Sequence, residues 1–174
     1  RDITIYADDA DHMDHVIEAM RANEGTRVLE VRDEVLALHH KGKIAIRSRF
    51  PIDSIATLRR VYTPGVAEVC LKIADDPALA RLYTSISHMI AIVTDGTAVL
   101  GLGDIGPLAS MPVMEGKAML METMVGLSGM PILLNTKDPD EIVKAVYAIS
   151  PTFAAIQLED ISAPRCFEIE ERLQ

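Results

Sequence analysis

The chain contains no tryptophan, and aromatic residues make up only 4% of its 174 residues. Hydrophobic residues nevertheless account for 49% of the sequence, so a core must consist mainly of Leu, Ile, Val, Ala and Met. Small aliphatic side chains suit the layers between helices and a sheet. The composition therefore favours an α/β domain with a core of its own.

Cysteine, positive charge and long apolar runs are also scarce. Cys70 and Cys166 match no metal-binding or redox spacing, so we expect reduced, partly buried packing residues in a cytoplasmic protein. The formal net charge of −9 comes without a basic patch, which argues against a nucleic-acid partner. No apolar stretch approaches the roughly 20 residues of a membrane span, and no signal peptide is recognisable.

Residues 1–32 show two β-rich segments, at 3–6 and 28–31, on either side of an amphipathic helical stretch. This pattern predicts a β-α-β unit that is too short to form a core alone. We interpret it as the end of a preceding small domain. The chain is expected to be a fragment of a longer protein.

From residue 33 onwards, helix and strand signals alternate along the chain. We predict helices at 33–40, within 50–60, at 64–75, at 113–126, at 138–148 and from about 162 onwards. Strands are predicted at 89–93, 131–134 and 154–158. The alternation predicts an α/β fold with a mostly parallel sheet covered by helices.

Gly101, Gly103 and Gly106 spell G-x-G-x-x-G after a predicted strand, which is the spacing of a dinucleotide-binding loop. Pro107 and Pro112 follow, and we expect them to interrupt the helix that such a loop requires. No acidic residue closes the next strand at the required distance. We therefore expect this loop to bring the backbone close to a ligand or a neighbouring strand, and assign no cofactor-binding residue in this chain.

Glu159 and Asp160 follow a predicted strand directly, at the end where α/β sheets place their ligand sites. Where the chain turns, both carboxylates can reach one ion, and their hard oxygen atoms suit Mg²⁺ or Mn²⁺. Substrate, water or a third carboxylate would have to complete the coordination. The spacing supports an alternative equally well, in which Asp160 caps the following helix and Glu159 is solvated.

Lys117 and Tyr62 are the candidate acid-base residues. Lys117 is predicted in the first turn of a helix, an end that disfavours a cation and so suits a general base. The alternative is a surface lysine paired with Glu115 or Glu122. Tyr62 precedes a Thr-Pro helix start, where a phenol can donate a proton or hold a carboxylate, although ordinary packing is favoured from its position alone.

Three segments together resemble one known family: YTPGVAEVC at 62–70, VTDGTAVLGLGDIGPLASMPVMEGKAML at 93–120 and IQLEDISAPRCFEIEERL at 156–173. In this order they are similar to the N-terminal, substrate-side domain of the malic enzymes, and most closely to the smaller bacterial type. The resemblance extends from about residue 35 to the end. Residues 1–32 resemble, more weakly, the C-terminal part of an ACT-like regulatory domain, a partial ferredoxin-like β-α-β unit.

The resemblance implies oxidative decarboxylation of malate to pyruvate and carbon dioxide, with reduction of NAD or NADP and a requirement for Mg²⁺ or Mn²⁺. By motif match, Lys117 would bind the substrate and act as general base, and Tyr62 would act as general acid. Glu159 and Asp160 would hold the metal. Larger animal and plant members bind a substrate carboxylate with an arginine at the position of Ala98, so another group must take that role here.

The resemblance also implies a domain plan. Residues 33–174 would form the substrate and metal domain, and the NAD(P)-binding domain with a third metal carboxylate would lie outside this chain, leaving it inactive alone. A homodimer or higher homo-oligomer is implied, and a small effector could bind the ACT-like module. Two alternatives remain: a malolactic or oxaloacetate-decarboxylating enzyme with the same site, and a regulatory or binding module with a degenerate site.

Overall fold

The computed structural model describes residues 3–174, which belong to two compact units. One unit ends at Leu38, and the other extends from His39 to Gln174. The first unit contains helix α1 (Ala10–Ala22) and nearly all of helix α2 (Glu34–His39). The second unit holds every predicted site residue.

Helix α1 confirms the helix predicted near the start of the chain, but the two strands predicted beside it do not form. Residues 3–6 and 28–31 belong to no helix and to no strand of the sheet. A strand is stabilised by the hydrogen bonds of a neighbouring strand. Within the part of the chain that the structure describes, neither segment has such a neighbour, so the strand prediction was wrong here.

The second unit is built around a parallel sheet of three strands. These are β1 (Met89–Thr94), β2 (Ser128–Leu133) and β3 (Ala155–Leu158), in the order β2-β1-β3. In the central strand, Ile92 lies opposite Pro131 of β2 and Gln157 of β3. The carboxyl ends of all three strands therefore share one edge, which confirms the predicted parallel arrangement.

Helices cover both faces of this sheet. Beyond α2, the helices are α3 (Ile55–Val61), α4 (Val66–Asp75), α5 (Ala80–Tyr83), α6 (Pro107–Val125), α7 (Pro139–Ile149) and α8 (Arg165–Leu173), with 3-10 turns at Pro77–Leu79, Ser85–His88 and Ser150–Thr152. Helix α6 connects β1 to β2, and α7 connects β2 to β3. Among residues 3–174, no helix is long and apolar enough to cross a membrane.

Alternate side chains of β1 divide the core between the two faces of the sheet. Ala91 and Val93 pack with residues of α7 and α8, whereas Ile92 packs with Met114 and Ala118 of α6. The three β1 residues are fully buried. Full burial of a Val or Ile side chain stabilises a fold by about 1.5–3 kcal/mol. The core is aliphatic, as the composition predicts.

The two cysteines differ in their surroundings. Cys166 is half-buried against the α7–α8 side of the core, as predicted. Cys70 is exposed, because α4 buries none of its residues, so the prediction of a partly buried side chain was wrong there. Both thiols are free.

Helix α6 begins at Pro107, six residues before the predicted start near Val113. Pro107 occupies the first turn, where a missing backbone N–H is tolerated. Pro112 lies inside the helix, where it removes one backbone hydrogen bond without ending the helix. The prediction that these prolines interrupt the helix was therefore wrong, and Lys117 lies in the middle of α6 rather than in its first turn.

The turn after β1 packs directly against the start of α6. Gly96 has a φ of +69°, and a Cβ built there would lie 2.2 Å from the carbonyl oxygen of Gly106. The carbonyl of Gly96 also accepts hydrogen bonds from the N–H groups of Ile105, at 3.2 Å, and Gly106, at 3.1 Å. Glycine is required by both the conformation and the contact, so this turn determines where α6 begins.

Two of the three glycines of the G-x-G-x-x-G pattern lie in a small hairpin. Val99 and Gly103 form an antiparallel bridge, with Gly101 between them, and Gly106 is the N-cap residue of α6. A dinucleotide-binding loop instead joins a strand to a helix by a tight turn. The loop in this chain brings its backbone against the β1 turn, which agrees with the expected close approach to a neighbouring strand.

We predict that Gly96→Ala lowers the free energy of unfolding by about 2–4 kcal/mol, because the methyl group meets backbone atoms and the positive φ is strained. Gly101→Ala is the matched control. The φ of Gly101 is also positive, but nothing lies within 4 Å of the added Cβ. The free energy of unfolding should therefore fall by only about 1 kcal/mol. Urea unfolding followed by circular dichroism measures both. Equal losses in the two variants would contradict the contact described here.

Candidate functional site

The predicted general base and a predicted metal ligand meet at the carboxyl edge of the sheet. Lys117 Nζ lies 3.0 Å from Glu159 Oε2, and the two side chains are 36% and 20% exposed. An ion pair with this much exposure contributes about 0–1 kcal/mol to stability. The ion pair matters less for stability than for its position, because it places an amine beside a carboxylate at the edge where α/β sheets bind ligands.

Lys117 reaches this edge because α6 packs closely against β2. A Cβ built at Gly129 of β2 would lie 2.8 Å from Cα and Cβ of Ala118, so glycine permits the close approach. Met114 and Ala118 are buried one turn apart on the side of α6 that faces the sheet. Lys117 directly precedes Ala118 and so borders this buried stripe.

A second contact holds α6 near the same place. Glu115 Oε2 accepts a hydrogen bond from the backbone N–H of Lys43 at 3.1 Å, and Lys43 Nζ donates to the carbonyl of Pro112 at 2.7 Å. In the described part of the chain, Lys117 forms its ion pair with Glu159 and not with Glu115 or Glu122. The interpretation of Lys117 as a surface lysine paired within its own helix is therefore wrong.

Asp160 adopts a backbone conformation that is uncommon for a residue with a side chain. Its φ is +53°, and its carbonyl oxygen accepts a hydrogen bond from the N–H of Ala98 at 2.9 Å. Immediately before it, the N–H of Glu159 donates to the carbonyl of Val93 at 2.9 Å. Aspartate is one of the few residue types that enter this region readily. The chain thus turns at Asp160 directly after its last contact with β1.

One carboxylate oxygen of Asp160, Oδ2, is buried without a hydrogen-bond partner among residues 3–174. Burial raises the pKa of Asp160 above its ordinary value of 3.8; the charge of Glu159 raises this pKa further, and Lys117 partly offsets the increase. A buried acceptor without a donor is unfavourable by about 1–3 kcal/mol. A cation would satisfy it, so Glu159 and Asp160 fit a hard divalent ion such as Mg²⁺ or Mn²⁺.

These two carboxylates do not form a complete coordination shell. Within the described residues, no three His, Cys, Asp or Glu side chains are grouped so that they could hold a metal ion. Additional ligands would have to come from substrate, water or another part of the protein.

The alternative in which Asp160 caps the following helix is wrong. Helix α8 begins at Arg165, and Pro164 is its N-cap residue without a side-chain hydrogen bond. Glu159 is also paired with Lys117 rather than solvated.

Tyr62 is not joined to this site by any contact in the described residues. It is the C-cap residue of α3 and is 65% exposed, and no hydrogen bond or ion pair of the described residues links its hydroxyl to Lys117 or Glu159. Its backbone N–H donates to Leu58, and its carbonyl accepts from Val66. The exposure contradicts the packing interpretation. The structure thus brings Lys117, Glu159 and Asp160 together but not Tyr62.

A polar cluster beside the two carboxylates was not among the predicted site residues. Arg165 Nη2 lies 3.0 Å from Asp95 Oδ2 and donates to Thr97 Oγ1 and Ser162 Oγ, each at 2.9 Å. The side chain of Asp95 is 1% exposed. Asp95 Oδ1 accepts hydrogen bonds from the N–H of Thr97, at 3.1 Å, and from its hydroxyl, at 2.6 Å. Only the Asp-Gly turn after β1 could have drawn attention to this cluster.

The cluster connects the carboxyl ends of all three strands. Asp95 and Thr97 follow β1, and Ser162 and Arg165 follow β3. Arg165 Nη1 also donates to the carbonyl of Lys137, which follows β2. The backbone N–H of Ser162 donates to Thr97 Oγ1 at 2.9 Å. A single guanidinium group therefore contacts the three loops that surround the candidate site.

A carboxylate pair and an amine at the carboxyl edge of a parallel sheet is the arrangement of a ligand-binding α/β domain. Residues 41–174 match the family profile described as malic enzyme, N-terminal domain. The chain belongs to this family, as its motifs predict.

Individual relatives agree with this assignment. The chain is 55% identical to NAD-dependent malic enzyme 1 of Bacillus subtilis over 175 residues, covering 100% of the chain and 40% of that protein. It is 49% identical over 148 residues to the bifunctional malic/malolactic enzyme of the same organism, covering 84% of the chain and 36% of that protein.

Solved structures agree as well. The NAD-dependent malic enzyme of Thermotoga maritima aligns with a TM-score of 0.77 at 42% identity, covering 83% of the chain and 41% of that structure. The malic enzyme of Pyrococcus horikoshii aligns with a TM-score of 0.75 at 40% identity, covering 92% of the chain and 34% of that structure. The chain thus spans about two fifths or less of the length of these relatives.

We predict that Asp160→Asn stabilises the metal-free protein at neutral pH. The pKa of Asp160 is raised in the folded state, so the associated stability is present below the unfolded value of about 3.8 and is lost as pH rises through the folded value. Asparagine carries no charge and tolerates the positive φ. At pH 7 the thermal midpoint of the variant should therefore lie above that of the parent.

Thermal unfolding with a chelator, from about pH 3 to pH 7, tests this linkage. The difference in thermal midpoint between the variant and the parent should decrease as the pH is lowered. Asp14→Asn, at an exposed position of α1, is the control and should not change the midpoint. A lower midpoint for Asp160→Asn at pH 7, or a difference independent of pH, would contradict the stated electrostatics.

Proposed function

We propose that the protein containing this chain oxidatively decarboxylates malate to pyruvate and carbon dioxide, reducing NAD or NADP with the help of Mg²⁺ or Mn²⁺. The observation that carries this proposal is the 3.0 Å approach of Lys117 to Glu159, next to the unpartnered buried oxygen of Asp160. Membership of the malic enzyme family supports it.

The proposed division of roles follows from the chemistry of each side chain. Lys117 orients the malate hydroxyl and accepts its proton, while the hydrogen on the same carbon leaves as a hydride to the nicotinamide ring. The bond between the adjacent methylene carbon and its carboxylate then breaks, its electrons form the enolate of pyruvate, and carbon dioxide departs. Glu159 and Asp160 would hold the metal ion, which when bound supplies Lewis acidity for the charge that develops on the keto oxygen.

Tyr62 would complete the reaction by protonating the terminal carbon of enolpyruvate. A phenol is a suitable donor because it is protonated at neutral pH and becomes available again after reprotonation by solvent. The hydroxyl of Tyr62 has no hydrogen-bond partner within residues 3–174, and the side chain is exposed. Both observations are compatible with a role toward a substrate rather than in packing.

A malolactic reaction on the same site is the second candidate. It is supported by the 49% identity to a relative that is named as a bifunctional malic/malolactic enzyme. An oxaloacetate-decarboxylating reaction would use the same carboxylates and has no separate support. A regulatory module with a degenerate site is disfavoured, because Lys117, Glu159 and Asp160 are all retained and Lys117 lies beside Glu159.

We also propose that the protein is a homodimer or a larger homo-oligomer. Helix α6 buries one stripe against the sheet but exposes large apolar residues on its other sides, among them Leu108, Leu120, Met124 and Val125. Exposed apolar residues on one helix support contact with a second copy. Light scattering that shows a monomer at micromolar concentration would remove this proposal.

For residues 1–32, we propose the C-terminal part of an ACT-like regulatory domain that binds a small effector. The helix of this segment supports the proposal. Calorimetric titration with amino acids tests it, and no binding would count against it.

We also propose a cytoplasmic location for the protein. The free thiols of both cysteines support this location.

We predict that Lys117→Ala in the complete gene product lowers malate-dependent NAD(P) reduction by about 10²–10⁴-fold. The variant Lys117→Arg keeps a cation beside Glu159 but has no group that accepts a proton at neutral pH, so its malate-dependent NAD(P) reduction should fall by a similar factor. The matched control is Lys72→Ala, which removes an exposed lysine of α4 that lies 4.0 Å from Glu68, and it should retain full activity.

Absorbance of the reduced nucleotide, with parallel assays of pyruvate and lactate, identifies the reaction. Equal amounts of reduced nucleotide and pyruvate would support malic enzyme activity and show the preferred nucleotide. Lactate without net reduction would favour the malolactic candidate. Unchanged malate turnover in Lys117→Ala would refute the assigned base.

We predict that Tyr62→Phe suppresses one partial reaction, the exchange of pyruvate methyl hydrogens with D₂O in the presence of Mn²⁺ and nucleotide. The exchange requires a group that moves a proton at that carbon, and phenylalanine has none. Proton NMR should show a loss of about 10²-fold or more. Tyr83→Phe, at another exposed tyrosine, is the control. Exchange at the parent rate in Tyr62→Phe would exclude Tyr62 as the acid.

A further inference from the structure

We propose that Arg165 is a positioning residue for the divalent-cation site. Through Asp95 and Thr97 it would hold the turn at Glu159 and Asp160 in the conformation that binds the ion. This inference rests on the proposed function, because it adds a residue to the same site. It also names a role for the polar cluster that the proposed acid-base chemistry leaves unused.

The first step of the argument is the pairing of a buried charge. The side chain of Asp95 is 1% exposed, and that of Arg165 is 22% exposed. A charge at such a buried position has to be paired, and removal of one partner is strongly destabilising. Arg165 Nη2, at 3.0 Å from Asp95 Oδ2, supplies the pairing charge as an ion pair; this oxygen accepts no hydrogen bond within residues 3–174. The loops after β1 and β3 are thereby joined by their side chains.

The second step is the use of Thr97 as a junction. Its hydroxyl donates to Asp95 Oδ1 at 2.6 Å and accepts from the backbone N–H of Ser162 and from Arg165 Nη2, each at 2.9 Å. A hydroxyl has one hydrogen to donate and two lone pairs. All are used, so the backbone at Ser162 has one defined position relative to the end of β1.

The third step concerns the backbone between these contacts. Glu159 donates to the carbonyl of Val93, Asp160 accepts from the N–H of Ala98, and Ser162 donates to Thr97. The turn is therefore attached to β1 and its loop on both sides of Asp160. Positive φ costs free energy even for aspartate, so contacts around Asp160 help to keep it in this conformation. The hydrogen bonds of the polar cluster are among these contacts.

In the described residues, Arg165 forms no hydrogen bond or ion pair with either proposed metal ligand. Its partners in the described residues are Asp95, Thr97, Ser162 and the carbonyl of Lys137. It therefore acts through other residues, as a positioning residue does. Groups that orient metal ligands typically change metal affinity by about 10–100-fold when they are removed. We expect the same magnitude here.

The test is direct binding of Mn²⁺ to the complete gene product, measured by electron paramagnetic resonance without malate or nucleotide. Thr97→Val keeps the shape of the side chain but removes the hydroxyl, and Thr97→Ser keeps the hydroxyl. Thr97→Val should weaken Mn²⁺ binding by about 10–100-fold, whereas Thr97→Ser should stay within about threefold of the parent. Arg165→Lys, which cannot contact all these acceptors at once, should resemble Thr97→Val.

Arg172→Gln controls for a merely structural effect. Arg172 is another arginine of α8, pairs with Asp140 and Glu168, and lies about two turns further along the helix. This variant should bind Mn²⁺ as the parent does, whatever its thermal midpoint. Arg165→Lys replaces Thr97→Val as the decisive variant if the latter does not fold.

The outcomes separate this inference from the proposed function. Parent-like Mn²⁺ binding by Thr97→Val and Arg165→Lys would overturn the positioning role and leave the malate reaction untouched. A parent that binds Mn²⁺ with the expected losses in the variants, yet does not turn over malate, would support the positioning role and remove the proposed activity. A parent that binds no Mn²⁺ would overturn both.

Discussion

The pairing of Asp95 with Arg165 is the interaction on which the candidate site depends. Asp95 follows the central strand and is almost fully buried, so its charge requires a partner. That partner comes from the start of α8 and also contacts the loop after β2 through Lys137. A parallel sheet places three strand ends at one edge, but it does not by itself hold the loops beyond them together. In this chain one guanidinium group makes that connection.

The amine of the site depends on a different constraint, which is the close fit of α6 to the sheet. Gly96 allows the β1 turn to lie against the start of α6, and Gly129 allows β2 to approach Ala118. These contacts set the position of α6 along and against the sheet. Lys117 consequently reaches Glu159 at 3.0 Å. The amine and the carboxylates are supplied by separate elements, and backbone contacts bring them together.

Local sequence patterns predicted those features that depend on local structure. The strands and helices alternate, so the parallel sheet and the position of Glu159 and Asp160 at its edge could be expected. The start of α6 was misjudged because proline is compatible with a first turn. The strands at 3–6 and 28–31 were misjudged because a strand depends on a partner that its own residues do not reveal. The cluster of Asp95, Thr97 and Arg165 joins residues far apart in sequence, so no local spacing indicates it.

The central proposal is that Glu159 and Asp160 bind one divalent cation beside Lys117. The most direct measurement is a crystal structure of the complete gene product grown with Mn²⁺, with the ion located by anomalous scattering. The account predicts one peak within bonding distance of both carboxylates, including Asp160 Oδ2, with the Lys117 amine nearby but not coordinated. A peak elsewhere in the protein, or a Mn²⁺ ion that contacts neither carboxylate, would contradict it.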